Sequence, residues 1–394
     1  MNRFDPATLI AQAQDAAGSD DFGDFGYGTS WQDGLGLLTD GLAHQARLSP
    51  LGVEIACGDI QRALVNRLQI VAHRTANRAV ADGPITQPIV IVGQPRTGTT
   101  ILYDLLAQDP GFRTPLTWEV DEPCPVPQPE TYETDPRIAQ VQASIEMSEH
   151  IVPGFLKHHP MDAQVGQECV RITAPEFTSM IYSVQYHVPS YEQWWLHEAD
   201  QSGPYRFHRV FLQHLQSEHH ADRWLLKSPA HLWSLPSLLA EYPDAIVIQN
   251  HRDPLKVIAS ISALGASLRE MTTDNFDVRT LAAQYGDDIM VGLDRALQAR
   301  ADGLFAPGQV VDVRYQDFRH DPIATIAGIY DQIGLELTAD TEARMGSFLA
   351  AHPGDQAGSL KRYSFADTGL DEDELRERAR PYQEFFGVET EQLS

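Results

Sequence analysis

The chain has 394 residues, 42% apolar and 21% charged, so it can form one large or two ordinary globular domains and is not a fibrous or low-complexity protein. A formal net charge of −26 repels nucleic acids and anionic membranes and argues against DNA binding. No segment approaches the roughly 18 apolar residues of a membrane span, and the first residues lack a secretory signal pattern, so we expect a cytoplasmic protein.

The first part of the chain carries only helix-like patterns. A helix is predicted over Pro6–Ala17, directly after Asp5, and a second over Leu51–Arg78, where apolar residues recur at helical spacing. We interpret residues 1–85 as a helical N-terminal region.

From residue 86 onward the pattern changes to that of an α/β domain, which we expect to extend to residue 394. The segment DGPITQPIVIVG places turn residues before a short β-branched run, typical of a strand buried on both faces. Three further strands are predicted at Trp224–Lys227, Ala245–Gln249 and Val310–Val313. Each precedes a helix-like segment, and these segments are Ala230–Glu241, Leu255–Leu264 and Pro322–Ile333. The sequence therefore predicts an α/β fold with a P-loop-like, doubly wound parallel sheet flanked by helices.

Residues 110–222 contain no clear strand pattern. We predict a helical insertion over the carboxyl edge of the sheet, where ligands bind in such folds. An aromatic run in this segment is more typical of a core than of a substrate wall. Any of its rings that line a ligand cleft would favour an apolar or aromatic ligand. The run comprises Phe177, Tyr182, Tyr186, Tyr191, Trp194 and Trp195.

The segment IVIVGQPRTGTT joins a predicted strand to a helix start. Gly93 and Gly98 have the spacing of the phosphate loop G-x-x-x-x-G-K-[ST], but Thr99 replaces the lysine and Arg96 supplies the cation instead. Backbone amides and hydroxyls at a helix N-terminus suit an anion less highly charged than a triphosphate. We predict an anion site formed by Gln94, Pro95, Arg96, Thr97, Gly98, Thr99 and Thr100.

A second anion site is predicted in AIVIQNHRDPLKVIASISAL. Arg252 follows the strand and can hold an oxyanion with two bonds, while Ser260, in the second turn of the next helix, can add a hydroxyl. The alternative is that Arg252 pairs with Asp253 or caps a neighbouring helix.

Together, GQPRTGTT and R-D-P-x-x-x-x-x-S resemble the motifs of the sulfotransferases that use 3'-phosphoadenosine 5'-phosphosulfate (PAPS). They are most similar to those of the bacterial branch, whose sequences contain PRTGTT and HRDP. The resemblance covers about residues 86–370. It implies that the first loop holds the 5'-phosphosulfate and that Arg252 and Ser260 hold the 3'-phosphate. It also implies transfer of the sulfuryl group from PAPS to a hydroxyl or amine, with 3',5'-adenosine bisphosphate as the second product.

Three further segments resemble the family in the expected order. WLLKSPAHL resembles the segment with a lysine at a strand end, which gives Lys227 a catalytic role beside Arg96. VVDVRYQDFRHDP resembles the strand with an adenine-contacting tyrosine, here Tyr315. GSLKRYSFADTGL lies where the family has a basic loop that reaches the 3'-phosphate, so Lys361 and Arg362 are candidates. In-line sulfuryl transfer requires no metal in principle, and we predict none.

The catalytic base is left open between two residues. The cytosolic enzymes of the family have a histidine two residues after the strand-end lysine, but Pro229 stands there. Glu119, in TPLTWEVDEP, lies where some branches place a catalytic glutamate, although it could belong to an exposed acidic run. His231 lies near the start of a helix that Ser228 would cap, where the helix dipole would keep the imidazole neutral. Glu119 is slightly preferred.

Two other functions remain open from the sequence. One is a P-loop kinase that uses ATP. The presence of Thr99 in place of the loop lysine argues against this alternative. The other is a non-catalytic nucleotide-binding protein of the same fold. We expect the acceptor to be a small molecule, lipid or carbohydrate that binds on the side of the helical insertion, and to be apolar or aromatic if the aromatic rings line the cleft. The identity of the acceptor and the oligomeric state do not follow from the sequence.

Overall fold

The computed structural model describes residues 3–25, 30–154, 156, 160–220, 222–352 and 364–393. The chain divides into two compact units. The first, here called the helical unit, comprises Met1–Ile85, Pro115–Ala221 and Ser267–Phe276. The second, the sheet unit, comprises Thr86–Thr114, Asp222–Ala266 and Asp277–Ser394. The division into an N-terminal region and a sulfotransferase domain with an insertion stays a prediction.

The helical unit is built from nine described α-helices joined by turns. These are Pro6–Ala17, Trp31–His44, Pro50–Ala76, Thr117–Asp121, Pro136–Ile151, Cys169–Thr173, Ile181–Gln185, Pro189–His197 and Ser202–Leu215. Short 3₁₀ turns lie at Arg78–Asp82, Pro129–Thr131 and Ala174–Glu176.

Local capping explains where the first helices begin and end. The Asp5 side chain accepts a hydrogen bond from the Thr8 amide at 2.9 Å, Pro6 occupies the first helical position, and Gly18 ends the helix at φ 65°. The helix Pro6–Ala17 therefore has the predicted bounds. The predicted helix Leu51–Arg78 is observed as Pro50–Ala76.

The helix Trp31–His44 lies within the predicted helical region and contains three glycines, which lower helix propensity. At least one of them is required by packing: a Cβ at Gly34 would overlap the backbone carbonyl of Phe177. The predicted aromatic run, which includes Phe177, is almost entirely buried within this unit, and the Phe177 and Tyr182 rings stack 5.8 Å apart. These rings therefore serve as core.

The sheet unit contains a four-stranded parallel sheet. Its strands are β1 (Ile89–Gly93), β2 (Leu225–Lys227), β3 (Ile246–His251) and β4 (Val310–Arg314), in the order β2-β1-β3-β4. All five residues of β1 are buried, as its β-branched run predicts. The predicted α/β fold class is confirmed.

The strand order creates a switch point at the carboxyl ends of β1 and β3. The chain leaves β1 towards β2 on one side and leaves β3 towards β4 on the other, so the two connections diverge from neighbouring strands. Gly93 and Asn250 are register partners at the ends of these strands. Open α/β sheets bind ligands at such points. The loops that follow β1 and β3 therefore share one edge of the sheet.

The α-helices of the sheet unit follow its strands or close its C-terminal part. They are Thr99–Leu106, Leu235–Glu241, Pro254–Glu270 (to residue 266 in this unit), Val278–Ala301, Tyr315–His320, Pro322–Ile333, Ala339–Ala351 and Glu372–Phe386.

The predicted helix Ala230–Glu241 is confirmed only in its second half. It is divided into a 3₁₀ turn at Pro229–Trp233 and a helix at Leu235–Glu241. Ser234 separates the two with non-helical dihedrals (φ −136°, ψ 27°), and Pro236, at the start of the second element, cannot donate a backbone hydrogen bond.

Candidate active site

The loop after β1 has a backbone shape that its residues impose. A Cβ at Gly93, where φ is 145°, would lie 2.6 Å from the Asn250 carbonyl oxygen, so only glycine permits this approach of β1 to β3. The Thr97 hydroxyl donates to the Gln94 carbonyl at 2.6 Å, and Asn250 Nδ2 donates to the Thr97 carbonyl at 3.2 Å. The loop is thus tied both to itself and to the end of β3.

Arg96 and Gly98 adopt left-handed backbone conformations, with φ of 66° and 84°. Such a conformation is uncommon for arginine, and outliers of this kind cluster at ligand sites. The helix Thr99–Leu106 begins directly after Gly98. Left-handed residues directly before a helix N-terminus can turn backbone amides towards one side, as in anion-binding loops.

The loops after β1 and β3 are in direct contact. Arg96 Nε donates to the Ser260 hydroxyl at 3.1 Å, and Arg252 Nη1 donates to the Arg96 carbonyl oxygen at 2.8 Å. Burial, and then the positive charge of Arg252, lower the pKa of the Arg96 guanidinium. Two half-buried cations held this close would be stabilised by an anion between or beside them.

Arg252 also pairs with a carboxylate that the sequence did not indicate. Its Nε and Nη2 donate to the two carboxylate oxygens of Glu391 at 2.9 and 3.2 Å. Asp253, the partner considered from the sequence, instead accepts from Arg376 at 2.6 Å. The alternative of an Arg252–Asp253 pair is therefore wrong.

Tyr315 lies where it can support both loops. It follows β4, and its half-buried ring packs on Gly98, where an added Cβ would lie 3.0 Å from Tyr315 Cδ2. The Arg252 guanidinium lies over the same ring, 4.0 Å from its centroid. Its role as an adenine contact stays a prediction.

Lys227 ends β2 and is only 3% exposed, which excludes the simple alternative of a solvated lysine. Its Nζ donates to the Thr100 hydroxyl at 3.3 Å and lies 5.5 Å from the centre of the Tyr103 ring. The second predicted cation is therefore held at the start of the helix that follows the anion-binding loop.

The remaining loop residues differ in exposure. Gln94, Thr97 and Thr99 are buried, Pro95 is half-buried and Thr100 is exposed. Gln94 Nε2 donates to the Ile289 carbonyl at 2.9 Å, so this side chain fastens the loop to the helix Val278–Ala301. Lys361 and Arg362 lie outside the described residues.

His231 is buried in the 3₁₀ turn that Ser228 caps by accepting from the Ala230 amide at 3.2 Å. Burial lowers the pKa of His231 to about 3, so the imidazole is neutral at neutral pH. The neutral form agrees with the expectation, but its physical cause is burial and not the dipole of a long helix.

This burial predicts a dependence of stability on pH. Below about pH 6.5 the unfolded chain protonates His231 while the folded chain does not, until the pH approaches about 3. The stability contributed by the neutral imidazole is therefore complete above pH 6.5 and lost as the pH falls. In the wild type, protonation of the unfolded chain should lower the free energy of unfolding as the pH falls below 6.5. In His231→Gln this decrease should be smaller, by up to about 1.4 kcal/mol per pH unit. Urea unfolding at pH 6, 5 and 4 measures the slopes, and equal slopes in both proteins would contradict the buried, neutral imidazole.

Glu119 belongs to the helical unit. It is 0% exposed, so it is not part of an exposed acidic run. Its Oε2 accepts from the Leu116 amide at 3.0 Å and from the Tyr132 hydroxyl at 2.7 Å, at the start of the helix Thr117–Asp121. These bonds fix the carboxylate in position.

Two residues near the loops were missed by sequence reasoning. Asn250, which ties the loop to β3, directly precedes HRDP, and a polar residue at a strand end is a signal that could have found it. Glu391 lies 139 residues from Arg252, and nothing local indicates their contact.

The part of the chain that the structure describes lacks two features. No helix there is long and apolar enough to cross a membrane. No group of three or more His, Cys, Asp or Glu side chains there could hold a metal ion.

Comparison with known proteins identifies the family. A model of the sulfotransferase family matches residues 88–340. The structure is similar to sulfotransferase STF9 from Mycobacterium avium, with a TM-score of 0.88 and 29% identity, covering 98% of this chain and 97% of that one. It is also similar to sulfotransferase STF1 from Mycobacterium tuberculosis, with a TM-score of 0.82 and 32% identity, covering 94% and 97%.

A third relative extends this similarity. The omega-hydroxy-beta-dihydromenaquinone-9 sulfotransferase Stf3 of Mycobacterium bovis is 25% identical over 294 residues, which are 72% of this chain and 71% of that protein. These matches support sulfuryl transfer and do not support the kinase alternative. The chain belongs to the sulfotransferase family.

Proposed function

We propose that this sulfotransferase takes its sulfuryl group from PAPS, and that the loops after β1 and β3 hold the two anionic ends of that nucleotide. One observation carries the proposal: Arg252 donates to the Arg96 carbonyl at 2.8 Å, and Arg96 donates to Ser260 at 3.1 Å. The loop expected to hold the 5'-phosphosulfate and the residues expected to hold the 3'-phosphate are therefore adjacent.

The residues present suit such a ligand. The amides that follow Arg96 and the N-terminus of the helix Thr99–Leu106 form a cradle, and Arg96, Lys227 and Arg252 supply positive charge around it. When bound, PAPS would supply a sulfuryl group attached to a phosphate oxygen that leaves with the 3',5'-bisphosphate. The remaining chemistry is positioning and charge stabilisation by the protein.

In this proposal, Lys227 and Arg96 neutralise the charge that develops on the leaving phosphate oxygen. Both side chains are held before substrate arrives, Lys227 by Thr100 and Arg96 by Ser260. Preorganised cations need not reorient during the reaction, which is the usual source of electrostatic rate enhancement. Tyr315 remains the proposed adenine contact, and Lys361 and Arg362 remain proposed partners of the 3'-phosphate.

The acceptor must lose a proton, and Glu119 is the preferred base. His231 is neutral, but a pKa of about 3 makes its imidazole a weak base, because base catalysis is most efficient when the pKa lies near the working pH. The Glu119 carboxylate is held by the Leu116 amide and the Tyr132 hydroxyl. This leaves Glu119 ahead of His231.

The choice of base can be tested with two variants that replace each candidate with a glutamine. Glu119→Gln should lower turnover by about a hundredfold, whereas His231→Gln should lower it by less than about tenfold. Affinity for 3',5'-adenosine bisphosphate should be retained in both. Glu122→Gln, three residues along the same acidic segment, is the matched control and should retain turnover. Full turnover in Glu119→Gln would remove Glu119 as the base, and a large loss in His231→Gln would transfer that role to it.

For the acceptor we propose an apolar small molecule with a hydroxyl group. Support comes from the relative Stf3, whose name specifies an omega-hydroxy dihydromenaquinone. Screening hydroxylated lipids and phenols with PAPS labelled in its sulfuryl group would identify the acceptor by transfer of label. The expected cytoplasmic location stays a prediction.

The nucleotide assignment is tested by calorimetric titration of the protein. One titration uses 3',5'-adenosine bisphosphate with EDTA present, and this nucleotide should bind. A second titration uses ATP and Mg²⁺ without EDTA, and ATP should bind far more weakly. Preference for ATP with Mg²⁺ would contradict the proposal.

A further inference from the structure

The C-terminal tail occupies Arg252 with a carboxylate. Arg252 Nε and Nη2 each donate to one oxygen of Glu391, at 2.9 and 3.2 Å, and the two side chains are 18% and 16% exposed. Two parallel bonds from one guanidinium are the geometry with which arginine holds either a carboxylate or a phosphate. Glu391 thus makes the contact that an incoming phosphate group would make.

The tail is held in this position by its own set of bonds. The Glu391 amide donates to Asp253 Oδ2 at 2.7 Å, and Asp253 Oδ1 accepts from Arg376 at 2.6 Å. Arg376 belongs to the helix Glu372–Phe386, which ends at Gly387 with φ 64°. The carboxylate is therefore directed onto Arg252 by residues 388–391, which follow a firmly attached helix.

That helix is attached to the sheet beside Arg252. The Tyr382 hydroxyl lies 2.6 Å from His251 Nδ1, and His251 Nε2 lies 2.8 Å from Asp312 on β4. The Phe386 ring stacks on His251 at 4.2 Å. The helix has a buried anchor at the end of β3, whereas the tail beyond Gly387 contacts the site through Glu391. Release of the tail therefore does not require release of the helix.

A phosphate and the Glu391 carboxylate cannot share Arg252 at low cost. One N–H of Nη1 donates to the Arg96 carbonyl, and the edge formed by Nε and Nη2 holds Glu391. A phosphate placed beside the carboxylate would also meet its negative charge at short range. A phosphate can therefore bind the Nε and Nη2 edge with two bonds only after the Glu391 carboxylate has left it.

We propose that Glu391 is a built-in competitor of the nucleotide 3'-phosphate: the tail covers Arg252 in the empty enzyme and is displaced when the nucleotide binds. This inference rests on the proposed function, because it assumes that Arg252 receives the 3'-phosphate. Its consequence is a weaker apparent affinity for nucleotides that carry a 3'-phosphate. Such a nucleotide must displace the carboxylate, whereas one without a 3'-phosphate leaves the tail in place. Apparent affinity is reduced by the fraction of enzyme in which the tail is closed.

The test compares Glu391→Gln with the matched control Glu389→Gln, which changes an exposed acid of the same tail. Titration with 3',5'-adenosine bisphosphate should show about tenfold tighter binding to Glu391→Gln than to the wild type. Binding of 5'-AMP, which lacks the 3'-phosphate, should be unchanged. Glu389→Gln should match the wild type with both ligands.

A second measurement follows the tail in the unaltered protein. Hydrogen exchange of the amides of residues 388–393 should become faster when 3',5'-adenosine bisphosphate is added and should not change with 5'-AMP, because the Glu391 amide would lose its bond to Asp253.

The outcomes separate this inference from the proposed function. Bisphosphate binding that is unchanged or weaker in Glu391→Gln, or slower exchange of the tail on binding, would overturn the competitor role while leaving the nucleotide site intact. If neither the wild type nor Glu391→Gln binds the bisphosphate, the proposed function fails and this inference fails with it.

Discussion

Arg252→Ala is expected to weaken binding of 3',5'-adenosine bisphosphate by about a hundredfold, because it removes two charge-assisted hydrogen bonds to the 3'-phosphate. In the structure, the edge that would form these bonds already holds a carboxylate in the two-bond geometry, at 2.9 and 3.2 Å. The side chain is thus positioned for a planar, bidentate contact. Calorimetric titration of wild type and variant measures the loss.

The interpretation depends on whether affinity is lost only for nucleotides that carry a 3'-phosphate. Adenosine 5'-phosphosulfate, which lacks the 3'-phosphate, should bind the variant and the wild type about equally. Arg252 also donates to the Arg96 carbonyl, so its loss could act through the loop after β1 as well as through the ligand. Arg252→Lys helps to separate the two effects, because it keeps the positive charge but loses the planar guanidinium that binds with two bonds. We expect it to bind the bisphosphate with intermediate affinity. Lys256→Ala, on the following helix, is the control. Equal losses for both nucleotides would contradict the 3'-phosphate assignment.

Lys227→Met is expected to lower turnover by about a hundredfold to a thousandfold, the range found when one preorganised group that stabilises transition-state charge is removed. Methionine nearly preserves the volume of the buried lysine stem, and Lys227 is only 3% exposed, so the fold should be retained. The rate of label transfer from PAPS to an acceptor found by screening measures turnover.

The effect should appear in kcat more than in nucleotide affinity. Charge on the leaving phosphate oxygen is greatest in the transition state, so the Lys227 ammonium stabilises that state more than the bound nucleotide. Thr100→Ala, which removes the hydroxyl that accepts from Lys227 Nζ, should have a smaller effect because the ammonium remains. Unchanged kcat in Lys227→Met, with folding and nucleotide binding intact, would contradict the assigned role.

Elements set by local chemistry were predictable from the sequence. Asp5, Pro6 and Gly18 define the helix Pro6–Ala17 through a cap, a first-turn proline and a left-handed end, all of which lie in adjacent residues. The β-branched run of β1 likewise identified a strand with every residue buried. Where all the residues that cause a helix or strand to form lie in one short segment, the sequence was sufficient to predict that element.

Features that depend on distant residues were not predictable in the same way. The contact of Arg252 with Glu391 joins residues 139 positions apart, and neither segment carries a signal for the other. The neutral state of His231 was expected, but its cause is burial by surrounding elements. The contact between the Arg96 and Arg252 loops was inferable only because a parallel sheet brings the ends of neighbouring strands to one edge.

A crystal structure of the protein with 3',5'-adenosine bisphosphate tests the central claim most directly. We predict one nucleotide that contacts both loops, with its 5'-phosphate on the amides of residues 96–100 and its 3'-phosphate on Arg252 and Ser260. A bound nucleotide whose 3'-phosphate lies in solvent, or which contacts only one of the two loops, would contradict the account.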